Sequence, residues 1–181
     1  MNSNKKLIRY TTRVLVFSAL LIALDIIFTR FLRYEVYPYE RLSLQFVSHA
    51  MSGILFGPII AAINCIAGDL LGMVANSGGL SLNPLITGVA AMRGLLYGLL
   101  LKGGSKSFWR FLLAIGVVTV VCDLAANSFI MSGFFNIPAH TVFLTKLPVR
   151  LIATPLYALL MFALWQQLDK TRVFDGLTKR K

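Results

Sequence analysis

The sequence predicts an all-α membrane protein with six transmembrane helices, and three observations carry that prediction. Of 181 residues, 57% are apolar types and only 14% are charged, with a mean hydropathy of +0.74. A soluble domain carries roughly 25% charged residues, so too little polar surface exists here to keep a compact body in water. Disorder is excluded as well, because disordered chains are poor in apolar residues. The second observation is that the apolar residues gather in runs near the length of a bilayer crossing, about 20 residues. The third is the placement of charge. Twelve of the eighteen Lys and Arg lie in three regions: Lys5, Lys6, Arg9 and Arg13; Lys102, Lys106 and Arg110; Lys170, Arg172, Lys179, Arg180 and Lys181. Basic residues that flank spans stay in the cytoplasm. The net charge of +11 therefore reads as topology, and no nucleic-acid partner is expected.

Taken in order, the first span is expected over residues 14–32, interrupted by Ser18, Asp25, Thr29 and Arg30. It lacks an A-x-A-like cleavage site and reads as a retained helix rather than a signal peptide. A charged, aromatic stretch follows at 33–41. The second run covers 42–56 and ends at Gly57-Pro58, a pair that breaks a helix with a tight turn. The third covers 59–75. Residues 76–84 form a loop rich in Gly, Ser and Asn. The fourth run is 85–101, the basic loop 102–110 comes next, and the fifth run is 111–131. An uncharged loop is expected over 133–145, and the sixth run covers 147–168. Six spans put both termini and all three basic regions on the cytoplasmic side. The second and third runs are short, and a re-entrant hairpin over 42–75 is the alternative; it leaves the orientation unchanged. The chain reads as one membrane domain, 1–181, with short basic ends.

Several chemistries are excluded. No GxxxxGK[ST] run exists, so the chain has no phosphate-cradling loop for ATP. Cys65 and Cys122 lie alone in apolar stretches, which suggests neither a disulfide nor a zinc site. No Ser/His/Asp arrangement points to catalysis. The expectation is a protein that is not an enzyme and needs no cofactor or metal.

Ionisable groups inside spans are costly and mark cavities or partners. Here they are Asp25, Asp69, Arg93, Asp123 and Arg150, with Asn64 and Asn127 as neutral companions. At about 1.5 Å per residue, all five charged groups fall in the middle or outer half of the bilayer. That one-sided pattern predicts a polar cavity open to the outside. The alternative is that the groups pair to hold helices together, for example Asp69 with Arg93. Cations dominate the outer region: Arg30, Arg33, Arg41, Lys146 and Arg150. A guanidinium matches a carboxylate with two parallel hydrogen bonds, so an organic anion is the expected ligand. Tyr34, Tyr37, Tyr39, Phe46, Phe134 and Phe135 offer flat surfaces for a ring, or a belt at the headgroup level. His49 stands alone in the second run and reads as a packed or cavity-lining side chain. Small residues recur four apart at Ala19 and Ala23, at Gly68 and Gly72, and at Ala90, Gly94 and Gly98. Such faces let helices approach closely. The glycine pairs read as internal packing, and the Ala19/Ala23 pair as a face for another membrane protein.

The stretches SALLIALDIIFTRFLR, RLSLQFVSHAMSGILFGPIIAAINCIAGDLLGMV and NPLITGVAAMRGLLYGLLL resemble the substrate-binding (S) components of energy-coupling factor (ECF) vitamin transporters. The nearest likeness is to the folate-specific S component, across roughly residues 10–170. The resemblance implies a six-helix subunit that captures a vitamin from outside. It implies a partnership with an ECF module of one transmembrane coupling subunit and two cytosolic ATPases. Ala19 and Ala23 match the alanine pair that meets the coupling subunit; Arg93 and Arg150 match family arginines. The loops at about 33–41 and 76–84 match the gating loops. The expected site then comprises Arg41, Phe46, His49, Asp69, Asn83, Arg93, Asn127, Lys146 and Arg150. Asp69, Asn83 and Asn127 suit the donors and acceptors of a pterin, and the outer cations suit the dicarboxylate tail. An S component for another anionic vitamin, such as pantothenate, and a stand-alone secondary transporter remain open alternatives.

Overall fold

A computed structural model describes residues 2–36, 40–75, 83–104 and 107–171, without the side chains of 2–11, 33, 35, 36, 40, 41, 134 and 135. Helix α1 (Asn2–Ile26) runs into a π-helical turn at Ile27–Phe31. A short antiparallel ribbon follows, β1 (Arg33–Val36) on β2 (Glu40–Ser43), with Tyr34 opposite Leu42 and Glu35 opposite Arg41. The alternation of Arg33-Tyr34-Glu35-Val36 is only four residues long and Glu40-Arg41-Leu42-Ser43 does not continue it, so this ribbon was legible only as a charged connection. Five further helices complete the bundle: α2 (Gln45–Phe56), α3 (Pro58–Ala75), α4 (Pro84–Leu101), α5 (Phe108–Val118) continuing through a π-helical segment (Thr119–Ala126) into α6 (Asn127–Phe135), and α7 (Ala139–Lys170). α5, the π segment and α6 form one pass.

Five helices among the described residues are long and apolar enough to cross a bilayer. The exception is α2, whose 12 residues span only about 18 Å. Its residues Ser48 to Phe56 are all buried, so it is sheathed by its neighbours instead of facing lipid. Gly57 makes the expected turn after it with φ of 88°, a conformation that favours glycine. The final helix starts at Ala139, inside the stretch expected to be a loop. An uncharged, Pro-led segment reads as a loop in sequence, yet Pro138 sits where a helix begins and costs no backbone bond there.

The outer faces are apolar: Val74 is 84% exposed, Ile152 75% and Ile59 71%. Water does not tolerate contiguous surfaces of that kind, and lipid does. This is a multi-pass membrane protein. Within the bundle the glycines act as the sequence suggests. A Cβ on Gly94 would stand 2.6 Å from the Ala61 carbonyl oxygen, and one on Gly98 would strike the Pro58 backbone. α3 and α4 thus meet backbone to backbone, and their seam fixes where the α4 side chains point.

Candidate functional site

Fixed by that seam, Arg93 and Tyr97 sit one turn apart on the same face of α4. They look into a narrow cleft, with about 20 Å³ of free space, lined also by Phe46 and His49 of α2, Asp123 of the π segment, and Arg150 and Tyr157 of α7. Ser43, the last residue of β2, and Gln45, the first of α2, form part of its wall. The ribbon therefore borders the cleft at the N-terminal end of α2.

Arg93 Nη2 donates to Asp123 Oδ1 at 2.6 Å, and Arg150 Nη1 lies 2.9 Å from Asp123 Oδ2. One carboxylate thus bridges two guanidiniums, with one oxygen for each. The Lys146 ammonium, 1% exposed and one turn before Arg150, also acts on Asp123. The π segment contributes to this placement. Its wider winding puts Thr119, Cys122 and Asp123 inside and leaves Val120 and Val121 exposed. Such insertions recur at functional sites. On the opposite wall Phe46 and Tyr157 stack with centroids 4.2 Å apart and planes 18° apart. An apolar aromatic shelf beside two guanidiniums suits a flat organic anion.

A second polar system lies beside the first. Ser48 Oγ donates to Asp25 Oδ1 at 3.0 Å, and His49 Nε2 is 3.1 Å from the same oxygen. Arg30 Nη2 is 3.5 Å from Asp69 Oδ1, and Thr87 Oγ1 donates to Asp69 Oδ2 at 2.7 Å. These contacts join α1, α2, α3 and α4. Asn64 likewise donates to Ser18 and Ser52, at 3.1 and 2.8 Å.

Of the residues expected at the site, the fold brings Phe46, His49, Arg93 and Arg150 to one cleft, with Lys146 close behind. Asp69 turns to Arg30 and Thr87 rather than to the cleft, and its partner is not Arg93, whose partner is Asp123. Asn83 caps α4, its Oδ1 accepting from the Leu85 N–H at 2.9 Å. Asn127 opens α6, half-buried and outside the lining set. The Arg41 side chain, like the gating stretch 76–82, lies outside the described residues. Ala19 and Ala23 are both exposed on α1. Asp123 is marked by type as an ionisable group in a span but not assigned to the site, and two further lining residues, Tyr97 and Tyr157, escape a reading by residue type. Helical spacing points to both: Tyr97 is four residues after Arg93, and Tyr157 seven after Arg150.

Comparison with known proteins brings three findings. The family described as ECF-type riboflavin transporter, S component, matches residues 9–170. The folate transporter FolT of Clostridium novyi (strain NT) is 31% identical over 166 residues, covering 92% of this chain and 95% of that protein. A crystal structure of FolT bound with folic acid superposes with a TM-score of 0.78 at 24% identity, over 86% of this chain and 94% of that one. At that identity the superposition speaks for the fold.

Proposed function

The chain belongs to the family of ECF-type transporter S components, and we propose that it is the folate-binding subunit of an ATP-driven vitamin uptake system. Three arguments support folate. The full-length relative at 31% identity is a folate transporter. The cleft presents two guanidiniums, Arg93 and Arg150, groups that suit the carboxylates of a folate. The Phe46–Tyr157 shelf suits a flat ring. The full-length folate-transporting relative is the observation that carries the reading. Riboflavin, named in the family description, has no carboxylate for the two cleft arginines to receive.

In this reading Arg93, Arg150 and Lys146 hold the carboxylates, and Phe46, His49 and Tyr157 meet the ring and linker. Arg41 and Asn127 are further candidates to meet the ligand, whereas Asp69 and Asn83 serve Arg30 and the start of α4. Both termini and the basic loop after α4 face the cytoplasm, so the cleft opens outward. Energy comes from outside the chain, because no ATP-binding loop occurs in its sequence. An ECF module of a coupling subunit and two ATPases supplies it, docking on the α1 face that carries the exposed Ala19 and Ala23.

Calorimetry on the purified chain tests the ligand: folic acid binds, and riboflavin does not displace it. Tighter binding of riboflavin than of folic acid would overturn the assignment. Ala19→Trp tests the division of labour. Folic acid affinity stays at the wild-type value while co-purification with the module and uptake into liposomes are lost. If ligand binding falls as well, the alanine face belongs to the bundle interior.

A further inference from the structure

The charged side chains of the cleft already meet one another: Arg93 and Arg150 pair with Asp123, and the ring of His49 stands against Asp25 at 3.1 Å. Gln45 is different. It is the first residue of α2, half-buried in the cleft wall, and its side-chain carboxamide makes no hydrogen bond among the described residues. Its backbone, by contrast, is held. The Ser48 hydroxyl is shared between the Gln45 carbonyl oxygen and Asp25 Oδ1, each at 3.0 Å, which ties the first turn of α2 to α1. Gln45 and His49 are four residues apart and share one face of the helix, and both line the cleft. Beside Gln45 stands Phe46, whose ring stacks on Tyr157 with centroids 4.2 Å apart. A flat ring held at that shelf presents its edge to the side chains around it.

Among the lining residues only Gln45 carries a carboxamide. That group is planar and sets a donor and an acceptor side by side. The hydroxyls of Ser43, Thr119 and Tyr97 work through a single atom each. A pterin has a ring carbonyl next to a ring N–H, which is a cyclic amide edge. A carboxamide complements it with two parallel hydrogen bonds: its oxygen accepts from the ring N–H, and its NH2 donates to the ring carbonyl. We propose that Gln45 is a specificity-determining residue that reads this amide edge of the ligand's heterocycle. The inference rests on the folate reading above and concerns the ring end of that ligand, leaving the carboxylates to the arginines. A site whose polar group is shaped for such an edge rejects rings that lack it, because the group is then left unpaired.

The test compares wild type with Gln45→Met, which keeps length and bulk and removes both hydrogen-bonding groups. The probes are folic acid, a neutral pterin without a carboxylate, and p-aminobenzoylglutamate, the tail without the ring. By calorimetry the variant binds folic acid and the neutral pterin about tenfold more weakly and binds p-aminobenzoylglutamate as wild type does. Its unfolding temperature without ligand equals that of wild type, because the carboxamide has no protein partner to lose. Unchanged folic acid affinity overturns the proposal, and so does an equal loss for the tail fragment. Wild-type protein that fails to bind folic acid removes the proposed function and this inference together; wild-type binding that the variant matches removes the inference alone. Should Gln45→Met not fold, magnetic resonance of wild type with isotope-labelled glutamine side chains decides. The other two glutamines, Gln166 and Gln167, lie near the far end of α7. Folic acid must shift one side-chain amide signal, and a spectrum without a shift overturns the proposal.

Discussion

Two buried ion-pair systems share this bundle, and they differ in place. In the first, Asp25 and Asp69 meet Arg30, His49, Ser48 and Thr87 across α1, α2, α3 and α4. Each acid there has a cationic or ring partner and a hydroxyl. In the second, Arg93 and Arg150 share the one carboxylate of Asp123, and all three line the cleft. A balanced set ties helices together. A set in which two arginines share one carboxylate beside a cleft stands where a ligand meets it. Side by side in one apolar bundle, the two sets are separated as structure and site by their place relative to the cleft, not by residue type.

Variants can break or sharpen this contrast. The largest effect on the fold is expected at Arg30, in the balanced set. Arg30→Ala leaves Asp69 in a low-dielectric setting without its cation and costs about 3–5 kcal/mol of stability, while folic acid affinity per folded molecule stays near wild type. Thermal unfolding in detergent, read beside calorimetry, checks both halves. A strong loss of affinity in folded Arg30→Ala would join the two sets into one site.

Arg150→Ala, in the cleft set, is the mirror case. Removing one charge-assisted hydrogen bond to the ligand costs about 1.5–3 kcal/mol, a loss of tenfold or more in affinity. Asp123 keeps Arg93 as a partner, so the fold survives. Unchanged affinity in a folded variant takes Arg150 out of the site.

The smallest effect belongs to the aromatic shelf. Tyr157→Leu keeps bulk and removes the ring stacked on Phe46, at about 0.5–1.5 kcal/mol. The loss appears for folic acid and for a neutral pterin alike, whereas Arg150→Ala affects only the acid. Equal sensitivity of the two ligands to both variants would blur the division of the cleft into a ring side and a charge side.

Much of this protein follows from one-dimensional quantities. Membrane insertion depends on the apolar content of a run, and the basic clusters sort with the loops, so spans and turn positions such as Gly57-Pro58 are written locally. Glycines spaced four apart declare a close seam for the same reason: a missing Cβ is a local fact. The ribbon before α2 and the early start of α7 were less legible, because neither a four-residue strand nor a Pro-led helix start carries a long periodic signal.

Which charge meets which is a different kind of fact. Arg93 and Asp123 are separated by 30 residues along the chain, and Asp123 and Arg150 by 27. Each is an ionisable residue in an apolar run, indistinguishable by type from Asp69 or Arg30. Sequence alone determined that such groups need partners, since a bare charge in lipid is prohibitive. Only the tertiary structure decided the pairing. The α3–α4 seam sets the rotation of α4, and the π segment turns Asp123 inward. Ion pairing falls off within a few ångströms, so a rotation of one helix by a fraction of a turn decides whether a cation pairs between helices or pairs at the wall of the cleft.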